Sequence, residues 1–466
     1  MRRGTGPLRD LVRILTAFAL AFSLGAATPA AAQDGPSVSI SNVRLALMQL
    51  VTATGDDAGT ALAPEAGDAP ARAIYLQSGA VTLKELAALV EDTGSPGALA
   101  RSGDRVTATL PIVVLQGAEL SVGAGTNLVL DRAAPAFLLS FGRTRIAGAE
   151  VRVAGGRPDR DAVRPFLAGV GQGSLALRDS TLSGLGFGTE TYSAGVSLSG
   201  RGLLRGGDAA PMTGNTFRDV RGVVFAGIDA PRVLGNRFEG ARGTALQLSD
   251  GAGGVVRDNT FAGTGGGHAL RVSNMSGLEV ASNSFRGGAG KAVRVDDGAR
   301  DVTLVENFAR GFAGTAITVA EGARCTRLSY NVVSANDGGG IRADGAGALI
   351  LEGNVIAGNA GAGIAIADQQ ADAAALLVHN TLQDNRSGIR GTGLAELRLA
   401  RNDLSAQLPR LLSGDLDQLT PVYLRAARGS GRADIEVSGV SASPARALRR
   451  DAAQNAFDAC SQGEPA

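Results

Sequence analysis

Cysteine, histidine and lysine are nearly absent from this 466-residue chain, which has only Cys325 and Cys460, His268 and His379, and Lys84 and Lys291. Two cysteines and two histidines cannot build a zinc site of the usual kind, so neither a metal nor another cofactor is expected. An oxidising compartment would permit a bridge between the cysteines; a buried thiol and a free tail thiol are the alternative. The formal net charge is only +1, so the total says nothing about partners and any preference must come from how charge is distributed. Beyond the N-terminal segment no apolar run is long enough to span a bilayer, and the region of the repeats described below holds no long segment of helical periodicity.

What the chain does have begins with MRRGTGPLRDLVR, the apolar run ILTAFALAFSLGAA and then TPAAAQ. A basic start, a short apolar core and small residues before a polar one read as a secretory signal peptide, residues 1–32. The dominance of arginine over lysine, with abundant Ala and Gly, fits a GC-rich bacterial genome, which makes the periplasm the expected compartment. Residues 33–70 read as a flexible leader.

An Asn-centred phrase recurs through the second half: GNTF at Asn215, GNRF at Asn236, DNTF at Asn259, SNSF at Asn283, ENFA at Asn307, YNVV at Asn331, GNVI at Asn354, HNTL at Asn380 and RNDL at Asn402. Successive markers lie 21 to 26 residues apart. An apolar position keeps the same beat at Leu246, Leu270, Val293, Ile317, Ile341, Ile364 and Ile389. Each repeat holds three short alternating segments separated by Gly, Asn, Asp or Ser. A period in the low twenties is too short for a propeller blade, and the helices of other solenoids are missing. The expected fold is therefore all-β, a right-handed parallel β-helix with three strands per coil. The recurrent asparagines are expected at turns, tolerating left-handed backbone and stacking into a structural ladder.

The β-helix is expected over residues 110–412. Before it, residues 71–109 form an N-terminal cap. There TLKELAALVED opens with a capping box, Thr82 and Glu85, and carries Leu83, Leu86, Leu89 and Val90 on one face of a short helix. Residues 413–466 lose the rhythm and read as a C-terminal extension and polar tail.

Strand alternation places Leu246 and Leu248 inside and Gln247 and Ser249 outside. The same reading puts Arg271, Arg294 and Arg342 outward, an interrupted column of arginines with His268 and Lys291 at its edge. Arginine forks match carboxylates in two-pronged fashion, so the column suits an extended, regularly charged polymer. The competing explanation is an Arg-rich chain filling exposed strand positions, with Asp interleaved for solubility.

The stretches AIYLQSGAVTLKELAALV, LPIVVLQGAELSV, NLVLDRAAPAFLLSFG, RPFLAGVGQGSLALRDSTLSGLGF, AGVSLSG and NTFRDV resemble the mannuronan C-5-epimerases of bacterial alginate biosynthesis. Members of that family are periplasmic right-handed parallel β-helices. Its catalytic phrase, Asp-Pro-His-Asp preceded by Tyr-Gly-Ile, falls on GTALQLSD. Thr244 stands at the Tyr, Gln247 at the first Asp, Leu248 at the Pro, Ser249 at the His and Asp250 at the second Asp. The Arg that neutralises the substrate in the family falls at Asn274, and the His of its Lys-His-Gly phrase is matched by His268.

C-5 epimerisation removes a proton beside a carboxylate and returns one on the opposite face, so it needs a base, an acid and a cation. Neither Ser249 nor Gln247 can be the base near neutral pH. The residues left for catalysis are His268, Lys291 and Asp250, the last also readable as a turn residue. Candidates for holding substrate are Arg271, Arg294, Arg342, Gln247, Ser249 and Asn274.

The resemblance implies an exported, epimerase-like protein that binds, and in the family epimerises, an acidic polysaccharide. A polyuronate is the expected partner, with periplasmic polysaccharide-secretion proteins as candidates; nucleic acid and a membrane span in the mature chain are not expected. Two other function classes remain: a non-catalytic binding or scaffold protein of a secretion complex, and a polysaccharide lyase. The lyase is weakened because Lys84 falls on the cap helix and leaves Lys291 as the only lysine on the coil.

Overall fold

The computed structural model describes residues 35–54, 72–133, 136–155, 165–200, 211–370, 373–428, 433–438 and 441–444. The signal-peptide segment, Cys460 and the polar tail lie outside these residues. The described chain winds as a right-handed parallel β-helix. Its strands align into three long sheets, two of 15 strands and one of 13.

Register is strict where the sequence repeats. On the first sheet Leu246, Leu270, Val293, Ile317, Ile341, Ile364, Ile389 and Leu412 stand directly over one another. All point inward and are buried. On the third sheet Phe217, Phe238, Phe261 and Phe285 stack face to face, with ring centroids 5.0, 4.5 and 4.8 Å apart. Each ring contributes roughly 1.5–3 kcal/mol on burial, and each stacked contact about 0.5–1.5 kcal/mol more.

The recurrent asparagines form a continuous ladder. The backbone N–H and Nδ2 of Asn283 both donate to Oδ1 of Asn307, each at 3.0 Å, and Nδ2 also donates to the carbonyl of Val256 at 2.8 Å. The same pattern runs from Asn215 to Asn402. In one respect the turn departs from expectation: the left-handed residue is not the asparagine but the one before it. Asp258, Ser282, Glu306, Tyr330, His379 and Arg401 have φ between 51° and 58°. Each projects its side chain outward while the following asparagine turns in to bond the coil. A second ladder, Asn336, Asn359, Asn385 and Gln407, supports a neighbouring corner.

The ends of the hydrophobic core are covered. At the N-terminal end, helix α2 (Leu83–Asp92) begins with the expected capping box and buries Leu83, Leu86 and Val90. At the other end, Tyr423 is buried and donates to the carbonyl of Asn402 at 2.9 Å. Strand Ile435–Ser438 pairs antiparallel with Glu396–Ala400, ending the parallel run of the second sheet. Cys325 is buried and disulfide-bonded.

The leader read at residues 33–70 is structured where the chain is described. Ser37–Asn42 pairs antiparallel with Arg72–Ser78 at the edge of the first sheet. Helix α1 (Arg44–Thr54) follows, its first turn held by the Asn42 side chain, which accepts from the Arg44 N–H at 2.8 Å. Its Val43, Ala46, Leu47 and Leu50 side pack with Tyr75, Val113, Phe137, Leu139, Phe166 and Ala168 in an apolar cluster outside the main core. Those last residues come from strands buried on both faces, and such strands need a cover.

Candidate functional site

The outward column of the first sheet changes character along its length. In register it reads Tyr75, Val113, Leu139, Ala168, Ser197, Val224, Gln247, Arg271, Arg294, Thr318, Arg342, Ala365 and Arg390. The first four belong to the cluster under α1. Ser197 and Val224 follow, both buried and outside that cluster; from Gln247 to Arg342 the outward residues are polar, and among the described residues no apolar cluster covers them.

The arginines do not stand as free forks. Nε of Arg271 lies 3.3 Å from Oδ1 of Asp296, and its Nη2 lies 2.6 Å from Oδ2 of Asp297. Arg294 donates to the other oxygen of Asp296. Arg342 pairs with Asp344, Nη2 to Oδ2 at 2.9 Å. Asp296 is almost wholly buried, so two guanidiniums neutralise one carboxylate beneath them. Each arginine side chain remains about a third or more exposed (34%, 32% and 43%). Donors are therefore left facing solvent.

Thr318 lies between Arg294 and Arg342. It is 3% exposed, and among the described residues its Oγ1 finds no hydrogen-bond partner. Lys291, Arg294, Thr318, Arg342 and Asp344 line one open cleft of about 460 Å³. Glu321 and Asp368 line it too, so three carboxylates face three cations, and a buried hydroxyl with no partner among the described residues is an acceptor or donor in waiting there.

Beside this column, two positions before the strand, His268 and Lys291 follow one another in successive coils: the N–H of Ala269 bonds the carbonyl of Lys291, and that of Ala245 the carbonyl of His268. Burial, reinforced by the positive charges of Lys291, Arg294 and Arg271, lowers the His268 pKa from 6.5 to about 4. Its Nδ1 is buried and has no partner among the described residues. Burial, then Arg294 and Arg342, also lowers the pKa of Lys291. His268 is thus neutral at physiological pH, and the ammonium of Lys291 is easier to deprotonate than in water.

The face thus gathers Gln247, His268, Arg271, Lys291, Arg294 and Arg342. Ser249 shares it but is buried. Two candidates do not join the cluster. Asp250 and Asn274 have φ of 61° and 47° and form the corner after the strand, where Nδ2 of Asn274 donates to Oδ1 of Asp250 at 2.8 Å. Asp250 is therefore engaged as a turn residue, and Asn274 is its partner. The sequence reading missed the part played by Asp296: alternation places it outward, but that it lies buried under arginines from two coils is legible only in the register. Among the described residues no group of His, Cys, Asp or Glu is arranged to hold a metal. Nor is any described helix long and apolar enough to cross a membrane.

Comparisons with known proteins place this geometry among β-helices. The family model described as right handed beta helix region matches residues 173–309 and 310–407. The crystal structure of the periplasmic alginate epimerase AlgG superposes with a TM-score of 0.63 at 19% identity, covering 88% of this chain and 98% of that one. A mutant of the same epimerase gives 0.65, also at 19% identity, with 88% and 99% covered. The Azotobacter vinelandii mannuronan C-5 epimerase AlgE4 A-module aligns at 14% identity with a TM-score of 0.32, over 75% of this chain and 87% of that one. No curated protein matches the sequence. At these identities the likeness to the first two structures shows the fold alone, a right-handed parallel β-helix.

Proposed function

The chain belongs to the right-handed β-helix family, and from that premise we propose that it binds an acidic polysaccharide, a polyuronate, along its first sheet after export to the periplasm. One arrangement carries the reading: Arg271, Arg294, Thr318 and Arg342 in direct register, with the unpartnered Thr318 hydroxyl in the cleft between two arginines. Coils repeat at about 4.8 Å, so the arginines stand one or two coil steps apart, with Thr318 between Arg294 and Arg342, along the path of an extended charged chain. Guanidinium donors not spent on Asp296 and Asp344 would meet the carboxylates, and Thr318 a sugar hydroxyl. The likeness to a periplasmic alginate epimerase and the apolar basic-ended N-terminal segment support the compartment and the class of polymer.

The mechanism proposed is binding, not the epimerisation of the mannuronan C-5-epimerases that the chain resembles. Gln247 and Ser249 replace two ionisable groups of the family's catalytic phrase, and Asp250 is held in a turn. Asn274, at the position of the neutralising Arg, carries no charge. What remains is a neutral imidazole, a lysine of lowered pKa and paired arginines, a set that can orient an anionic chain.

The test is titration calorimetry with polymannuronate at low and high salt. Replacing ion pairs as pairs, Arg294→Gln with Asp296→Asn and Arg342→Gln with Asp344→Asn, removes the two forks that flank Thr318 without leaving a buried charge alone, since Arg271 keeps its pair with Asp297. The expected result is salt-sensitive binding by the native protein and a loss on the order of tenfold or more in the paired variant, the equivalent of about 1.4 kcal/mol. Undiminished binding by a folded paired variant would overturn the assignment.

A further inference from the structure

Two coils beyond Arg342 the same face opens into a second cleft of about 540 Å³, lined by Arg386, Arg390 and Arg410 together with Ser387 and Ser413. No carboxylate lines it. All three arginines are exposed, and among the described residues none forms an ion pair. That is the reverse of the first cleft, where Glu321, Asp344 and Asp368 share the lining with Lys291, Arg294 and Arg342. Three guanidiniums around one concavity repel each other unless an anion lies between them, so this is the more strongly anion-seeking part of the sheet.

Its place in the fold ties it to the first cleft. Arg390 continues the outward column through Ala365 from Arg342. Arg410 stands at the edge of the next coil, its carbonyl accepting from the Gly388 N–H at 2.8 Å, and Arg386 sits at the corner where its N–H bonds the carbonyls of Asn359 and Gly361. The residues between the clefts in this column and at its edge, Ala365 and Ala362, are small, so no bulky side chain interrupts the path. Ser413 Oγ donates to Ser387 Oγ at 3.1 Å, leaving hydroxyl capacity at the floor of the cleft. Two coil steps put Arg390 about 10 Å from the level of Arg342.

We propose that Arg386, Arg390 and Arg410 form a second carboxylate-binding subsite, which holds a later unit of the same polyuronate chain gripped over Arg294 and Arg342. The inference rests on the proposed function, because it takes the polymer to lie along this face. Its own content is that binding is two-point. A chain long enough to reach both clefts gains avidity, since the second contact is made at high effective concentration, whereas a short chain gains none.

The experiment measures affinity for purified mannuronate oligomers of increasing length by calorimetry, using the native protein, Arg386→Gln/Arg390→Gln/Arg410→Gln and the paired variant of the first cleft. The native affinity should climb steeply once chains span both clefts. The C-terminal triple variant should lose on the order of tenfold or more for long chains, keep the short-chain binding that belongs to the first cleft, and lose the steep length dependence. Circular dichroism and melting of that variant should match the native protein, because the three side chains are exposed and unpaired. Equal length dependence in native and triple variant would overturn the second subsite while leaving the first cleft intact. Absence of binding by native protein at every length, or full binding by the paired variant, would instead remove the proposed function on which the inference rests. Replacement of the three residues by lysine should restore part of the long-chain affinity; no recovery beyond the Gln variant would argue against charge as the cause.

Discussion

Arg271 reaches forward one coil to place its Nε 3.3 Å from Oδ1 of Asp296, a carboxylate whose side chain is only 1% exposed. Arg294 occupies the other oxygen, so the buried charge is answered twice. Removing one member of such a group leaves its partners desolvated and unmatched. Asp296→Asn should therefore destabilise the protein by about 1–3 kcal/mol, the lower side of the range for broken buried pairs because both arginines reach solvent. The same change frees the Arg294 fork, leaves Arg271 held by Asp297 alone, and should tighten polyuronate binding at low salt. Denaturant unfolding and calorimetry on the single variant check both signs; weaker binding would mean that Asp296 holds the arginines in their useful geometry.

His268 gives a pH signature. Its folded pKa is near 4, below the 6.5 of an unperturbed histidine. Between those values the unfolded chain binds the proton more readily than the folded one, so stability rises with pH across that window. The contribution is fully present above pH 6.5 and is lost as pH falls through about 4. In His268→Gln the part of the stability–pH slope between pH 4 and 6.5 that belongs to this group should vanish. Chemical denaturation at a series of pH values reads the difference, and identical slopes would show that His268 titrates normally.

The asparagine ladder predicts a steep local cost. Oδ1 of Asn307 accepts from both the backbone N–H and Nδ2 of Asn283, while its own Nδ2 satisfies the carbonyl of Val280 at 2.9 Å. Asn307→Ala would orphan these groups in the core. At about 1 kcal/mol or more for each, the expected loss is roughly 3 kcal/mol, far above the effect of an exposed turn change such as Glu306→Gln. Urea unfolding of the two variants side by side is the measurement, and similar midpoints would refute the ladder's energetic role.

The coil was legible because two markers, Asn307 and its equivalents and Ile317 and its equivalents, repeat in step; periodicity averages out local ambiguity. Helix α1 was not legible as a cover because its partners Tyr75, Val113 and Leu139 lie far along the chain. A signal existed nonetheless: Ile112–Val114 and Phe137–Leu139 are continuous apolar runs, the mark of strands buried on both faces, whereas Leu246–Ser249 alternates. The chemistry of Asp250 illustrates the other limit. Its identity matches the last residue of the family's catalytic phrase, yet the left-handed corner it shares with Asn274 is set by backbone geometry that no single residue letter reveals. Similarly, Asp296 reads as a solubilising partner until register places arginines of two coils above it.

The last prediction concerns turnover. The line GTALQLSD holds the position of a catalytic phrase but offers no ionisable group on the face apart from the strand-end corner, and the next coil offers Asn274 in place of an arginine. Proton abstraction at C-5 would fall to Lys291, whose charged form is disfavoured by burial and by Arg294, or to His268, whose low pKa makes it a weak base. Arg271 would have to quiet the substrate carboxylate, although Asp296 and Asp297 already claim it. Incubation with polymannuronate in heavy water, followed by proton NMR, should therefore give neither guluronate signals nor deuterium at C-5 on the timescale of an active epimerase. Any slow exchange should increase with pH as Lys291 deprotonates and disappear in His268→Ala/Lys291→Ala. Vigorous exchange that survives the double substitution would place the chemistry on residues outside this face.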